Sequence, residues 1–229
     1  MATGAVTGLA SEAAIARHVG LIAAAGAGTR AGTEAAIAEL VAAGVPGLVS
    51  FGIAGGLAPA LSPGTLLLPP AVRSVSGEGY FVDVEWHARL RAAARAGALS
   101  VVVGGMLGAD QIAATTEVKA RVHTETGAIA VDLESHLVAA AARRARLPFV
   151  IVRAIADPAN RTLPKAALIP LAQGGEPRLL RVLGSLVREP WQISGLLELR
   201  RDARAALVAL EQGARALGSA LSRLEHSVD

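Results

Sequence analysis

The hydrophobic positions of this chain switch repeatedly between two periods. Short apolar runs recur at 5–10 (AVTGLA), 20–26 (GLIAAAG), 45–51 (VPGLVSF), 66–75 (LLLPPAVRSV), 98–105 (ALSVVVGG), 127–131 and 147–156 (LPFVIVRAIA). Each has the length of a buried strand, except that 66–75 reads as one or two strands broken by Pro69 and Pro70. Between them lie segments of helical period. Ser11 caps the first, with Glu12 in its first turn; the second ends at Gly44 as a C′ glycine; others cover 83–96, 115–127 and 133–145. Strands alternating with helices predict an α/β fold: a single-domain three-layer α/β/α sandwich on a mostly parallel twisted sheet, spanning residues 1–229 without a linker or repeat.

The C-terminal part reads differently. Residues 177–188 predict one helix and about 195–225 a long one, whose Leu196, Leu199, Ala203, Leu207, Leu210, Ala214, Leu217, Leu221 and Leu224 form one apolar stripe. That stripe packs on the parent domain or on a partner subunit. Its polar face carries Arg200, Arg201, Arg204, Arg215 and Arg223, which leaves a peripheral membrane contact as a second reading, although Glu198, Asp202, Glu211 and Glu225 dilute the charge.

Composition narrows the function classes. Apolar residues are 52% of the chain and charged residues 18%, which excludes a disordered or tail-like protein. The pI is about 10.1, yet the formal net charge is only +3. Aromatics are 3% and interleave with no basic stripe, so no nucleic-acid partner is expected. The absence of cysteine removes disulfides and thiol catalysis, and five scattered histidines predict no metal site and no cofactor. The N-terminus lacks a signal-peptide pattern, and no apolar run reaches the ~18 residues of a membrane span. The expectation is a soluble, cytoplasmic protein.

Candidate chemistry gathers on residues 128–164. Two strands joined by one helix, all taken as parallel, put Glu134 just past the end of one strand and Asp157 just past the end of the other. Ligands of open α/β sheets bind at that edge. The plainer reading has Asp132 capping a helix, Glu134 as a solvated first-turn acid and Asp157 opening a turn before Pro158. Three further turns join the edge: around Glu12, at Gly26-Ala27-Gly28-Thr29, and at Gly52-Ile53-Ala54-Gly55-Gly56. The glycines expose backbone N–H groups suited to phosphate or a sugar, or serve only tight turning; neither turn is a dinucleotide fingerprint or a Walker A loop.

Three stretches carry a family resemblance: SFGIAGGLAPALSPGTLLLP at 50–69, VDLESHLVAAAARRARLPF at 131–149 and VRAIADPANRTLPKAAL at 152–168. They resemble the purine nucleoside phosphorylase and nucleosidase superfamily, and within it the hopanoid-associated phosphorylase branch, the adenosylhopane nucleosidases. Glu134-Ser135-His136 after Asp132, Asp157-Pro158-Ala159, Gly8-Leu9-Ala10 and Pro190-Trp191-Gln192-Ile193 extend the likeness over nearly the whole chain. The resemblance implies cleavage between ribose C1′ and a purine nitrogen, releasing adenine from adenosylhopane, with other purine nucleosidases or phosphorylases and a non-catalytic nucleoside binder as alternatives.

By the same resemblance, Glu134 grips the ribose hydroxyls beside Asp132, Leu133, Gly55 and Gly56; Leu133 stands where the family has methionine. Asp157 hands a proton to the base, and Glu12 activates water. If phosphate attacks instead, Gly26, Gly28, Thr29 and Arg30 form its cradle. Phe81, on the 77–81 loop, is the aromatic chosen to face the base over Phe51, Tyr80 and Trp86. Arg153 pairs with an acid near the site. His136 marks the branch or is an ordinary satisfied helix histidine. The hopane tail requires an apolar exit, for which the C-terminal helix with 190–197 is the candidate, and relatives are expected to form homo-oligomers.

Overall fold

The computed structural model describes residues 2–164 and 192–222. The helix expected over 177–188, Leu224 of the apolar stripe, and Pro190 and Trp191 lie outside the described residues. The described chain runs β1 (Gly4–Thr7), α1 (Ala10–His18), β2 (Ile22–Ala25), α2 (Arg30–Ala42), β3 (Leu48–Gly56), β4 (Leu66–Leu67), β5 (Ala71–Ser74) and β6 (Gly79–Phe81). It continues with α3 (Val84–Ala96), β7 (Val101–Val102), β8 (Met106–Gly108), α4 (Thr116–Thr126), β9 (Ala130–Asp132), α5 (Ser135–Ala145), β10 (Phe149–Asp157) and α6 (Gln192–Ser222). Mixed α/β architecture and a mostly parallel sheet are as the alternation predicts: six of the nine strand pairings are parallel, the antiparallel ones being β10–β4, β3–β9 and β5–β6.

Local chemistry sets the helix ends. Thr29, Asp83 and Thr115 cap α2, α3 and α4 by accepting from Gly32 N, Trp86 N and Val118 N. Gly44 follows α2 at φ 71°, the left-handed conformation expected of a C′ glycine. The first helix departs from expectation. Ser11 lies exposed inside α1, and Leu9 holds the cap position. The Glu12 carboxylate does the capping by reaching back to Gly8 N at 2.9 Å and Leu9 N at 2.7 Å.

Strand β3 is the axis of the sheet. One edge pairs with β10 along its length. The other edge is shared: Leu48–Ser50 lie against β1, and Gly55 and Gly56 lie against β9, which runs the opposite way. The expected parallel pairing of the strands flanking α5 is therefore corrected: β9 is antiparallel to β3 and so points against β10. A three-residue strand carries no sequence signal of direction. The consequence is that the chain doubles back along β3, returning Glu134 to the level of Gly52 and Gly8. The 52–56 stretch, expected as a glycine-rich turn, is likewise the second half of a nine-residue strand.

Helix α6 packs on β10, α3 and β3 and fully buries Ala206, Leu210, Ala214, Leu217 and Leu221, while Leu196, Leu199, Ala203 and Leu207 of the expected stripe are half-buried. Trp86 Nε1 donates to Ala220 O at 2.9 Å and ties α3 to α6. Among the described residues no helix is long and apolar enough to cross a membrane.

Candidate active site

The fork in β3 creates the site. Where one edge passes from β1 to β9, the Ile53 backbone meets side chains in place of a strand. Ile53 N donates to Glu12 Oε1 at 2.8 Å, and Ile53 O accepts from Arg153 Nη1 at 3.3 Å. Only glycine fits beside them: a Cβ on Gly52 would stand 2.5 Å from Arg153 Nη1 and 2.8 Å from Glu12 Oε1, and one on Gly8 would stand 2.8 Å from Glu134 Oε1.

Arg153, fully buried, is the hub. Its Nη2 lies 2.6 Å from Asp132 Oδ2, 3.2 Å from Glu134 Oε2 and 2.7 Å from Ser50 Oγ. Ser135 closes the network, meeting Ser50 Oγ at 2.9 Å and donating to Asp132 through both its N–H and its hydroxyl. Three buried carboxylates, Glu12, Asp132 and Glu134, thus share one guanidinium. The expectation that Arg153 pairs with an acid is met twice over. Glu134 itself holds the N-cap position of α5 and is buried rather than solvated, while Asp132 accepts from the N–H of Ser135 and belongs to this cluster. Leu133, between them, is half-buried.

Electrostatics follow from that imbalance. Burial pushes the Glu134 carboxyl up to about 7; Arg153 pulls it down, and Asp132 and Glu12 raise it further. Burial also raises Glu12, against Arg153 and the N–H groups of Ile53, Leu9 and Gly8. Burial opposes the Arg153 charge, yet Asp132, Glu134 and Glu12 together hold it above its ordinary value. A cluster with more acids than cations in a dry site suits a ligand that is positive or becomes so.

Asp157 stands at the end of β10 opposite Gly55, after a register shift between Ile155 and Asp157. A Cβ on Gly55 would lie 3.1 Å from Asp157 Oδ1. Gly55 is three residues along β3 from Gly52, roughly 10 Å, so Glu134 and Asp157 flank successive parts of one bare strand. Sequence reasoning missed the partner of Asp157: Lys119 of α4, fully buried, bonds Asp157 Oδ2.

Other expected residues lie elsewhere. Phe81 pairs with Ala71 at the start of β5, is 82% exposed, and sits three strands from β3. β6 is an edge strand with β5, β8 and β9 between it and β3, so distance across the sheet, not strand direction, sets Phe81 apart from the acids. Phe51 and Trp86 are core, and Tyr80 donates to Glu78. The Gly26–Thr29 turn is a helix cap: Gly26 N donates to Thr7 O, a Cβ there would meet Thr33 N at 2.7 Å, and Gly28 adopts φ 64°. Arg30 turns to Glu34 at 3.2 Å and Asp110 at 2.9 Å, so its charge is already engaged.

A cleft of about 580 Å³ opens between α2, α5 and β5–β6, bordered by Arg30, Asp110, His136, Leu137, Tyr80 and Arg144 among others. Glu12, Glu134 and Asp157 do not line it. His136 is buried at its inner end, its Nε2 3.6 Å from Asp110 Oδ1, and burial lowers its pKa.

The fold and the acids converging on its forked strand define an α/β class built on a curled, mostly parallel sheet. More particularly, the chain belongs to the phosphorylase superfamily, whose family model matches residues 7–174. No curated protein matches it. Among solved structures it is similar to the 5′-methylthioadenosine/S-adenosylhomocysteine nucleosidase of Neisseria meningitidis in complex with methylthio-immucillin-A (16% identity, TM-score 0.71, covering 96% of this chain and 100% of that one). It is also similar to the S-adenosylhomocysteine nucleosidase of Streptococcus pyogenes in complex with 5-methylthiotubericidin (15%, TM-score 0.71, 96% and 95%). A third is the futalosine hydrolase of Helicobacter pylori (16%, TM-score 0.68, 93% and 97%).

Proposed function

We propose that this chain is a purine nucleosidase that cleaves the bond between ribose C1′ and a purine nitrogen by hydrolysis, with adenosylhopane as the substrate that the hopanoid-associated resemblance nominates. The observation carrying the reading is the buried cluster of Glu12, Asp132 and Glu134 around the single cation Arg153. As the glycosidic bond lengthens, positive charge grows on the sugar, and a dry, acid-rich surround stabilises that charge more than the neutral ground state. Solved structures of the same fold named as two nucleosidases and a futalosine hydrolase support it.

In this mechanism Glu134 accepts hydrogen bonds from the ribose hydroxyls, between Leu133 and the Gly55–Gly56 backbone. Glu12 Oε2 already takes two N–H groups and Oε1 one, which leaves one lone pair of Oε1 for a water. The water oxygen bonds to C1′ and its proton passes to Glu12. The electron pair of the broken C1′–N bond leaves with the base, and the proton held by Asp157 goes to a base nitrogen, so adenine departs neutral. Phosphate is disfavoured as nucleophile, because its charge would meet the acidic cluster while Arg30 is engaged elsewhere.

The test is base release from adenosylhopane, methylthioadenosine, adenosylhomocysteine and futalosine, with mass analysis of the sugar product with and without phosphate. Free sugar from at least one substrate, and loss of turnover in Asp157→Asn, are expected. No release from any of them sinks the enzymatic reading, and a sugar 1-phosphate sinks the hydrolytic one.

A further inference from the structure

Lys119 is out of character for this chain. Lysine occurs only at positions 119 and 165, so of the 22 basic side chains 20 are arginine (22 less 2). Lys119 is also fully buried, on a helix whose other polar side chains are not. A buried ammonium is costly unless each of its three N–H donors finds an acceptor. Here each does: Asp157 Oδ2, Pro158 O at 2.9 Å and Arg161 O at 2.9 Å. These acceptors surround a compact tetrahedral head, a geometry that the planar fork of arginine does not reproduce.

We infer that Lys119 is the positioning residue of Asp157: it fixes one carboxylate oxygen and the 158–161 turn behind it, so that the other oxygen, Oδ1, faces Gly55 and is the one offered to the base. The role rests on the nucleosidase reading; the contact itself does not. The turn is held from its far side too, since Arg161 Nη2 lies 3.0 Å from Asp202 Oδ2 on α6. Among the described residues, the charged groups bearing on Asp157 are Lys119 from α4, Arg161 from the turn and Asp202 from α6, while β3 presents glycine. Burial pushes the Asp157 carboxyl up, Lys119 and then Arg161 pull it down, and Asp202 adds to the rise. Taking away the Lys119 charge leaves burial less opposed, so Asp157 should keep its proton to higher pH.

The experiment follows the Asp157 carboxyl carbon by NMR titration in the full chain, without nucleoside, in wild type, Lys119→Met and Lys119→Gln. The midpoint should rise by roughly one to three pH units in either variant. In wild type the Lys119 Nζ resonance should shift with the same midpoint as Asp157, a reading that needs no variant to fold. An unmoved midpoint in a folded variant, or a Lys119 Nζ resonance that does not respond at the Asp157 midpoint in wild type, overturns the inference. In base release, the alkaline limb of the pH profile should move up with the midpoint, whereas a lysine of merely structural importance would lower the rate without moving the limb. If wild type releases no base, the nucleosidase reading falls while the NMR result still decides the Lys119–Asp157 pairing.

Discussion

Replacing Arg153 by methionine keeps most of the side-chain volume and removes the only guanidinium that the described residues set among three buried acids. The wild-type residue is 0% exposed and lies 2.6 Å from Asp132 and 3.2 Å from Glu134. Breaking a buried pair from one side costs about 3–5 kcal/mol, because the charges left behind stay buried. Here the acids can escape by taking up protons. In the variant the pKa values of Glu12 and Glu134, already raised by burial, rise further above those of the unfolded chain, so the folded state binds more protons and stability falls as pH rises. One extra proton is worth about 1.4 kcal/mol per pH unit, so going from pH 7 to pH 5 returns up to about 2.7 kcal/mol. Urea denaturation of wild type and Arg153→Met at both pH values measures this. A loss below about 1 kcal/mol at pH 7, or a loss equally large at pH 5, would show that the acids are not dependent on this arginine.

Three further outcomes are expected. Because Glu134 titrates at about 7 when folded against an ordinary 4.5, its contribution to stability is whole below pH 4.5 and fades as pH climbs towards 7; Glu134→Gln should flatten the stability–pH curve over that window, and an unchanged slope refutes it. Gly52→Ala forces a methyl against Arg153 and Glu12, so about 1–3 kcal/mol of stability and most base release should be lost, whereas a wild-type rate would mean the cluster shifts freely. Leu210→Ala, on the buried face of α6, should cost about 2–5 kcal/mol by thermal or urea unfolding; a change under about 1 kcal/mol would mean that α6 does not hold the domain together.

Much of the scaffold was legible because its signals are local. The helical stretch at 83–96, Gly44 after another and the apolar run at 147–156, interrupted only by Arg153, mark elements by short-range chemistry. What failed depends on distant partners. Ser11 looks like a cap until Glu12, held by burial, reaches back to do the work. Gly52–Gly56 reads as a turn because glycine usually marks one, whereas here it admits Glu12, Arg153 and Asp157 beside a strand. The reversed direction of β9 has no signature in three residues. At the candidate site, Glu12, Asp132, Glu134 and Arg153 were nameable and the structure brings them together, while the place of Phe81 on an edge strand depends on a strand order that no local signal gives. Lys119 was hidden as one more polar residue on a helix, although its rarity against twenty arginines was in plain view.

The bare strip from Gly52 to Gly56 bears on how such a protein can change over time. Its most crowded backbone is spelled with its smallest residues, so a scoring scheme based on lost apolar volume would rank these positions as expendable. A saturation scan should rank Gly52 among the least replaceable, since a carbon added there meets Arg153 Nη1 at 2.5 Å and Glu12 Oε1 at 2.8 Å, whereas one on Gly56 would make ordinary contacts at 3.4 Å. New specificities in a lineage built this way must therefore be recruited from the surrounding loops, around a floor that stays blank.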